Sequence, residues 1–205
     1  MGKQVKIKDN RKFIKYLLLN IITFGFYEAF MLSNISKEIN LISKDGKRTM
    51  NYLPLFLMIF TGFVLIAIAY FFAKDLLIID PDLWSEKDLT TVIKGSLVVI
   101  FGLLLIIVVD ISIIVWMYRI TKRISNELSL RNIDFKFSTE TFWCWYFGYN
   151  AFYIILSVVY EFLQIEGAWE YLIGLFACVL YYTFMFKMIK AMNFINADYK
   201  LKLEE

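Results

Sequence analysis

Histidine is missing from all 205 residues, and that one gap closes off Ser-His and Cys-His nucleophilic catalysis, imidazole zinc sites and His-ligated haem. Neither a G-x-x-x-x-G-K-[ST] phosphate loop nor a G-x-G-x-x-G fingerprint occurs, which argues against nucleotide-driven chemistry. There are only two cysteines, Cys144 and Cys178, each inside an apolar segment where it acts as a small apolar side chain rather than half of a disulfide. An aspartyl intramembrane protease needs two facing carboxylates, and only Asp110 lies deep in an apolar run. No catalytic residue, metal site or cofactor is expected.

What the chain does have is apolar surface. Its hydrophobic share is 60% and its aromatic share 19%, against roughly 45–50% apolar in ordinary soluble domains. The expected class is an all-α, polytopic helical membrane protein forming one membrane domain over 1–205. The organising stretch begins at Thr91: about 24 nearly uninterrupted apolar residues lead into Arg119, Lys122 and Arg123. A helix needs about 20 residues, at about 1.5 Å of rise each, to cross a bilayer.

Charge placement sets the expected threading. The amino terminus, 1–15, carries Lys3, Lys6, Lys8, Arg11, Lys12 and Lys15, and belongs in the cytoplasm by the rule that inner segments hold the Lys and Arg excess. No A-x-A-like cleavage site follows it, so it is expected to be retained. Crossings are read at 52–73, 93–118, 141–163 and 171–187, with a cytoplasmic tail over 188–205. Pro54 falls in the first turn of the first crossing, where its missing N–H costs little.

The loop with Asp75, Asp80, Asp82, Glu86 and Asp88, and the short hairpin with Glu166 and Glu170, are expected outside. On this scheme only Lys74, Lys87 and Lys94 of the 22 basic residues face outward. Trp116, Trp143 and Trp145 fall at inner ends and Trp84 and Trp169 near outer ends, as interfacial rings should. The location implied is the plasma membrane, with both termini cytoplasmic.

Segment 16–33 is different, because both of its flanks are basic. A re-entrant or interfacial hairpin keeps both flanks inside and is preferred over a fifth transmembrane helix. Gly25 supplies the bend, and Thr23 helps satisfy the freed backbone groups.

Three inner ends share a pattern. Ile35-Ser36-Lys37-Glu38-Ile39-Asn40 recurs as Ile120-Thr121-Lys122-Arg123-Ile124-Ser125 and more loosely as Met188-Ile189-Lys190-Ala191-Met192-Asn193. Each holds a central Lys between apolar residues four apart, and Ile42, Leu128 and Ile195 extend the apolar faces. The spans are thus expected to run on as amphipathic helices. Their stripes either pack on each other or lie among headgroups, and the sharper alternative is a basic platform for a cytoplasmic partner.

Ile22-Thr23-Phe24-Gly25-Phe26-Tyr27, followed by the Lys37-x-x-Asn40 segment, resembles an uncharacterised bacterial multi-pass family known as a domain of unknown function. That family repeats an Ile-Thr-Phe-Gly-Ile-Tyr block ahead of Tyr-Trp-x-Tyr-Lys and Lys-x-x-Asn. Trp116-Met117-Tyr118-Arg119-Ile120-Thr121-Lys122 is similar to the second half of the block. Asp110 and Cys178 stand where the later copies would carry the Gly25 equivalent, and Met31 stands where a Trp is expected. The resemblance implies membrane placement and internal repetition, and transfers no catalytic residue.

Asp110 lies nine residues before Arg119, about 13 Å along a helix and therefore near mid-bilayer. An ionised carboxylate there costs roughly 2.5 kcal/mol or more. It should be neutral or paired and face the bundle interior, bonded to Asn150 or a tyrosine, or else line a polar path with Glu28, Asn20 and Asn150. Gly174 and Cys178, four apart, offer a small-residue strip for helix packing.

The expected role is non-catalytic: an accessory, regulatory or immunity-type membrane protein that binds a protein partner or forms a homo-oligomer in the lipid bilayer. Lys37, Arg119, Lys122, Arg123, Lys187 and Lys190 are the candidate partner or headgroup contacts. The alternative is a small oligomeric transporter or channel using Asp110 as a proton or cation site. The basic residues sit where threading already requires them, so no nucleic acid partner is expected.

Overall fold

A computed structural model of the protein describes residues 7–43, 45–73, 86–163 and 169–204. The expectations for Lys3 and Lys6, for most of the acidic loop with Trp84, and for the connector over 164–168 lie outside the described residues. Every element described is a helix: α1 (Phe13–Ile22), α2 (Phe26–Ile42), α3 (Tyr52–Ala73), α4 (Glu86–Leu130), α5 (Thr139–Leu163) and α6 (Trp169–Glu204). Among the described residues, three are long and apolar enough to cross a membrane, over Tyr52–Phe71, Thr90–Leu130 and Gly174–Glu204. These are the helices of a membrane protein.

α1 and α2 form a tight hairpin whose turn is written in the sequence. Gly25 has φ 87°, a left-handed conformation open to glycine without strain, and Phe24 beside it has φ 48°. The first N–H groups of α2 would otherwise be orphaned. Thr23 Oγ1 accepts from the Tyr27 N–H at 2.9 Å while donating to the Leu19 carbonyl at 2.7 Å, and Asn20 Oδ1 accepts from the Glu28 N–H at 3.2 Å. The bend expected at Gly25 and the role expected for Thr23 are both found. The helix then runs beyond residue 33 to Ile42, so hairpin and repeat segment are one piece.

α4 is 45 residues long, about 68 Å at about 1.5 Å per residue, which is over twice a hydrocarbon core of about 30 Å. It therefore continues past its apolar run, as expected, and stops at Asn132, whose φ is 54°. The Asn132 N–H and the Ile133 N–H return to the Ser129 and Leu128 carbonyls at 3.1 and 3.0 Å, closing the helix end. α5 starts after Ser138, whose N–H donates to Thr141 Oγ1 at 3.3 Å.

The chain divides into two compact units. One contains Met1–Met50 and Met117–Glu205, the other Asn51–Trp116. In the second, α3 and the first part of α4 bury Leu55, Gly62 and Ala69 against Gly102, Val109 and Trp116, each set spaced by seven. Sevenfold spacing keeps one seam facing a partner helix. Gly62 and Gly102 set the distance: a Cβ on either would come within 3.2 Å or 3.1 Å of the other's carbonyl oxygen. The remaining surface is apolar and open, with Phe63, Phe71, Leu97 and Phe101 exposed, as suits helices bathed in lipid.

The first unit buries the three repeat faces. Ile35, Ile39 and Ile42 of α2, Ile120, Ile124 and Leu128 of α4, and Met188, Met192 and Ile195 of α6 are all buried. The stripes read from the sequence are core. Aromatic rings extend that core where α5 packs on α6: Trp145 stacks on Phe184 at 5.1 Å, and Phe142 meets Phe184 at 6.2 Å.

Candidate functional site

Across the five repeat positions the three helices share one burial pattern: two buried, one exposed, two buried. The exposed residue is the central lysine, Lys37, Lys122 or Lys190. The residue after it is buried in every copy and differs in charge, being Glu38, Arg123 and Ala191. Burying a charge demands partners, and both charged copies have them. Glu38 accepts from the Arg11 guanidinium and, at 2.8 Å, from Asn196 Nδ2. Arg123 donates to Asn40 Oδ1, to Thr49 Oγ1 at 2.7 Å and to Asp45 Oδ1 at 3.0 Å.

The asparagine that closes the Lys-x-x-Asn segment acts alike in both copies that have it. Asn40 Nδ2 donates to the Thr49 carbonyl at 2.8 Å while its Oδ1 accepts from the Thr49 N–H at 2.8 Å. Asn193 does the same to Arg11, with both bonds to the main chain at 2.9 and 3.1 Å. A side-chain amide presents one donor and one acceptor side by side, so it can grip both main-chain groups of one residue. One clamp ties the segment after α2 back onto α2, and the other ties down the segment before α1.

Around Arg123 the clamp and the ion pair form a wall between two grooves. One, of about 550 Å³, is lined by Lys47, Arg48, Thr49, Tyr118, Arg119, Lys122, Asp45 and Asn126 with Arg123. The other, of about 490 Å³, mixes signs, with Glu127, Arg131 and Lys202. In the first groove Lys47, Arg48, Arg119 and Lys122 are exposed, and none has an ion-pair partner among the described residues. Asp45 is its one carboxylate; partial burial raises its pKa, but the Lys47 N–H and the Arg123 charge outweigh that and hold it below the usual carboxylate value.

Of the intramembrane candidates, Glu28 and Asn20 come together. The Glu28 carboxylate accepts from Tyr16 Oη at 2.7 Å, from Asn20 Nδ2 at 2.9 Å and from the Tyr181 hydroxyl. Asn150 turns back on its own helix, donating to the Tyr146 carbonyl at 2.7 Å. Asp110 requires a correction: an interior place was expected, but it is exposed in its unit and makes no hydrogen bond among the described residues. The reason is helical phase, since the glycine contact turns Gly102 and Val109 inward, and the next residue along is rotated about 100° away.

Among the cationic candidates, Lys37, Arg119, Lys122 and Lys190 are exposed, Lys187 is half-buried, and Arg123 is buried. Lys190 lies over the Phe186 ring at 4.9 Å. The strip expected at Gly174 and Cys178 is unused within the described residues: a Cβ on Gly174 would meet nothing within 4 Å, and Cys178 is exposed. Reading the sequence alone missed Asp45, Lys47, Arg48 and Tyr181. The signal for the first three was their position, in a short connector just after a Lys-x-x-Asn segment.

These features define a helical membrane protein whose charged residues lock one end of a helix bundle. The chain belongs to the family of the domain of unknown function DUF4234, whose model matches residues 11–126, more than half of the chain. That span includes the hairpin, the first two repeat copies and the groove. No curated protein and no solved structure matches the chain.

Proposed function

We propose that this is a non-catalytic accessory protein of a bacterial plasma membrane, acting by binding a membrane or cytoplasmic partner through the charge-locked end of its bundle. In this reading α3, α4, α5 and α6 make four crossings, the α1–α2 hairpin enters and leaves on one side, and both termini are cytoplasmic. The observation that carries it is the shared burial pattern of the repeats. Three helices spend their apolar faces and buried charges on each other, and hold Lys37, Lys122 and Lys190 outward on a fixed frame. A rigid frame with outward cations is suited to binding, since little order remains to be lost on docking.

Photo-crosslinkers placed at Lys37, Lys122 and Lys190 in cells should give one discrete adduct, absent when the label is at the exposed Phe63 of α3. No adduct at any of the three would end the proposal. Cysteines at Lys12 and Lys47 should label from the same side of the membrane; opposite sides would break the hairpin topology.

A second reading, a small oligomeric transporter or channel, draws on the Glu28 carboxylate held by Tyr16, Asn20 and Tyr181. Proton or cation flux into vesicles that Asp110→Asn or Glu28→Gln abolishes would put that reading first.

A further inference from the structure

We infer that the groove lined by Lys47, Arg48, Arg119 and Lys122 is a binding site for the phosphate of an anionic phospholipid headgroup. This goes beyond the partner reading, shares only Lys122 with it and rests on its membrane threading.

The argument begins with an imbalance of charge. Four exposed cations with no ion partner among the described residues border one groove with a single carboxylate, and that carboxylate is already engaged by Arg123. Held together, like charges repel, so their convergence calls for an anion. The groove is also built rather than incidental. Thr49 is held by the Asn40 clamp and by Arg123, which leaves Lys47 and Arg48 on a short tethered segment beside Arg119 and Lys122. Its volume, about 550 Å³, falls in the range of roughly 300–1,000 Å³ usual for small-ligand sites.

Position decides which phosphate. The apolar run of α4 ends at Met117, and the groove takes its next residues, Tyr118, Arg119 and Lys122. Trp116, just before, packs on Tyr52 at 4.8 Å between ring centroids, at a depth where interfacial aromatics sit. A ligand in the groove therefore lies level with the headgroups of the leaflet where α4 leaves the hydrocarbon. Basic pockets beside membrane helices at that level recognise phosphate-bearing headgroups. A lipid is already present there at high local concentration, whereas a soluble phosphate must compete with it.

The test uses the full chain in nanodiscs of phosphatidylcholine with or without phosphatidylglycerol, measuring the lipid that stays bound by mass spectrometry of the intact complex. Phosphatidylglycerol should be retained over phosphatidylcholine. Lys47→Gln with Arg48→Gln, and separately Arg119→Gln with Lys122→Gln, should lower retention about fivefold for each cation removed. The matched pair Lys12→Gln with Lys15→Gln, exposed and outside the groove, should change it little. Equal retention by wild type and groove variants, or an equal loss in the matched pair, overturns the site. Inorganic phosphate that displaces the lipid would overturn the lipid source in favour of a soluble anion. Should a variant fail to fold, wild-type protein still decides: retention must fall steeply as salt is raised, and indifference to salt overturns the proposal.

Discussion

The two units solve helix packing by opposite means. Between α3 and α4 the contact is apolar: glycines bring two backbones within van der Waals reach, and among the described residues no charged side chain takes part in the buried seam. Where α2, α4 and α6 pack, the contact is full of charge, with Glu38, Arg123 and Glu127 buried beside the isoleucines and methionines. Lipid explains the first, because burying a leucine against another helix gains little over leaving it in hydrocarbon, so close fit must supply the attraction. The charged contact shows that charges become usable where helices outrun the bilayer, provided each is met by a partner. One continuous helix, α4, passes from one regime to the other near Trp116.

The largest break should come from Glu38. Its carboxylate is almost fully buried, and Glu38→Ala would take from the Arg11 guanidinium its ion partner and from the Asn196 amide one acceptor, leaving each only the Lys8 carbonyl. Removing one member of a buried pair costs about 3–5 kcal/mol. Thermal melting in detergent should show that loss, with faster amide exchange over α2 and the end of α6. The comparison sharpens if Arg11→Met and Glu38→Met together recover most of it, since an apolar pair leaves no orphaned charge. A double variant as unstable as Glu38→Ala would mean that the ionic contact is itself the source of stability.

A smaller effect, confined to the other unit, is expected from Gly102→Val. Its Cβ would sit 3.1 Å from the Gly62 carbonyl oxygen and 2.9 Å from Ile66 Cγ1, and overpacking of that kind costs about 1–3 kcal/mol. Oxidative cross-linking of cysteines placed at Tyr52 and Trp116, whose rings meet across the two helices at 4.8 Å, should fall, while exchange over α2 stays as in wild type. If α2 loosened as well, the two packings would not be independent.

How far such behaviour could be read in advance follows the same divide. The helices themselves were legible: apolar length gave α3 to the residue, and the turn at Gly25 followed from glycine and threonine in a segment with two basic flanks. The repeat faces were legible too, because spacing by four fixes a helical side. Partners were not. Nothing in the spacing of Asn40 or Asn193 says that each grips a main-chain residue, since one partner lies nine positions away and the other 182. Asp110 was misplaced for a related reason. Polarity alone points a carboxylate inward, while the face it shows is set by Gly62 and Gly102, whose contact appears only when two helices are laid together.

The smallest effect concerns pH, and it bears on the charged unit alone. Asp9 is held below its ordinary value by the Lys200 ammonium at 2.8 Å, and Asp45 by its Lys47 N–H and Arg123 partners against the opposing pull of partial burial. A carboxylate with a lowered folded pKa contributes stability that is complete above its ordinary pKa of 3.8 and is lost as pH falls through the lowered value. Neutral and mildly acidic conditions should therefore leave both contacts whole. Below the ordinary carboxylate range the 45–49 segment should loosen first, because Asp45 is one of its tethers to Arg123, and amide exchange there should quicken while the α3–α4 seam stays unchanged. Asp45→Asn should show that looseness already at neutral pH and lose the acid step. An acid step that survives Asp45→Asn would assign it to another group, and loosening of α3 at the same pH would deny that charge is confined to one unit.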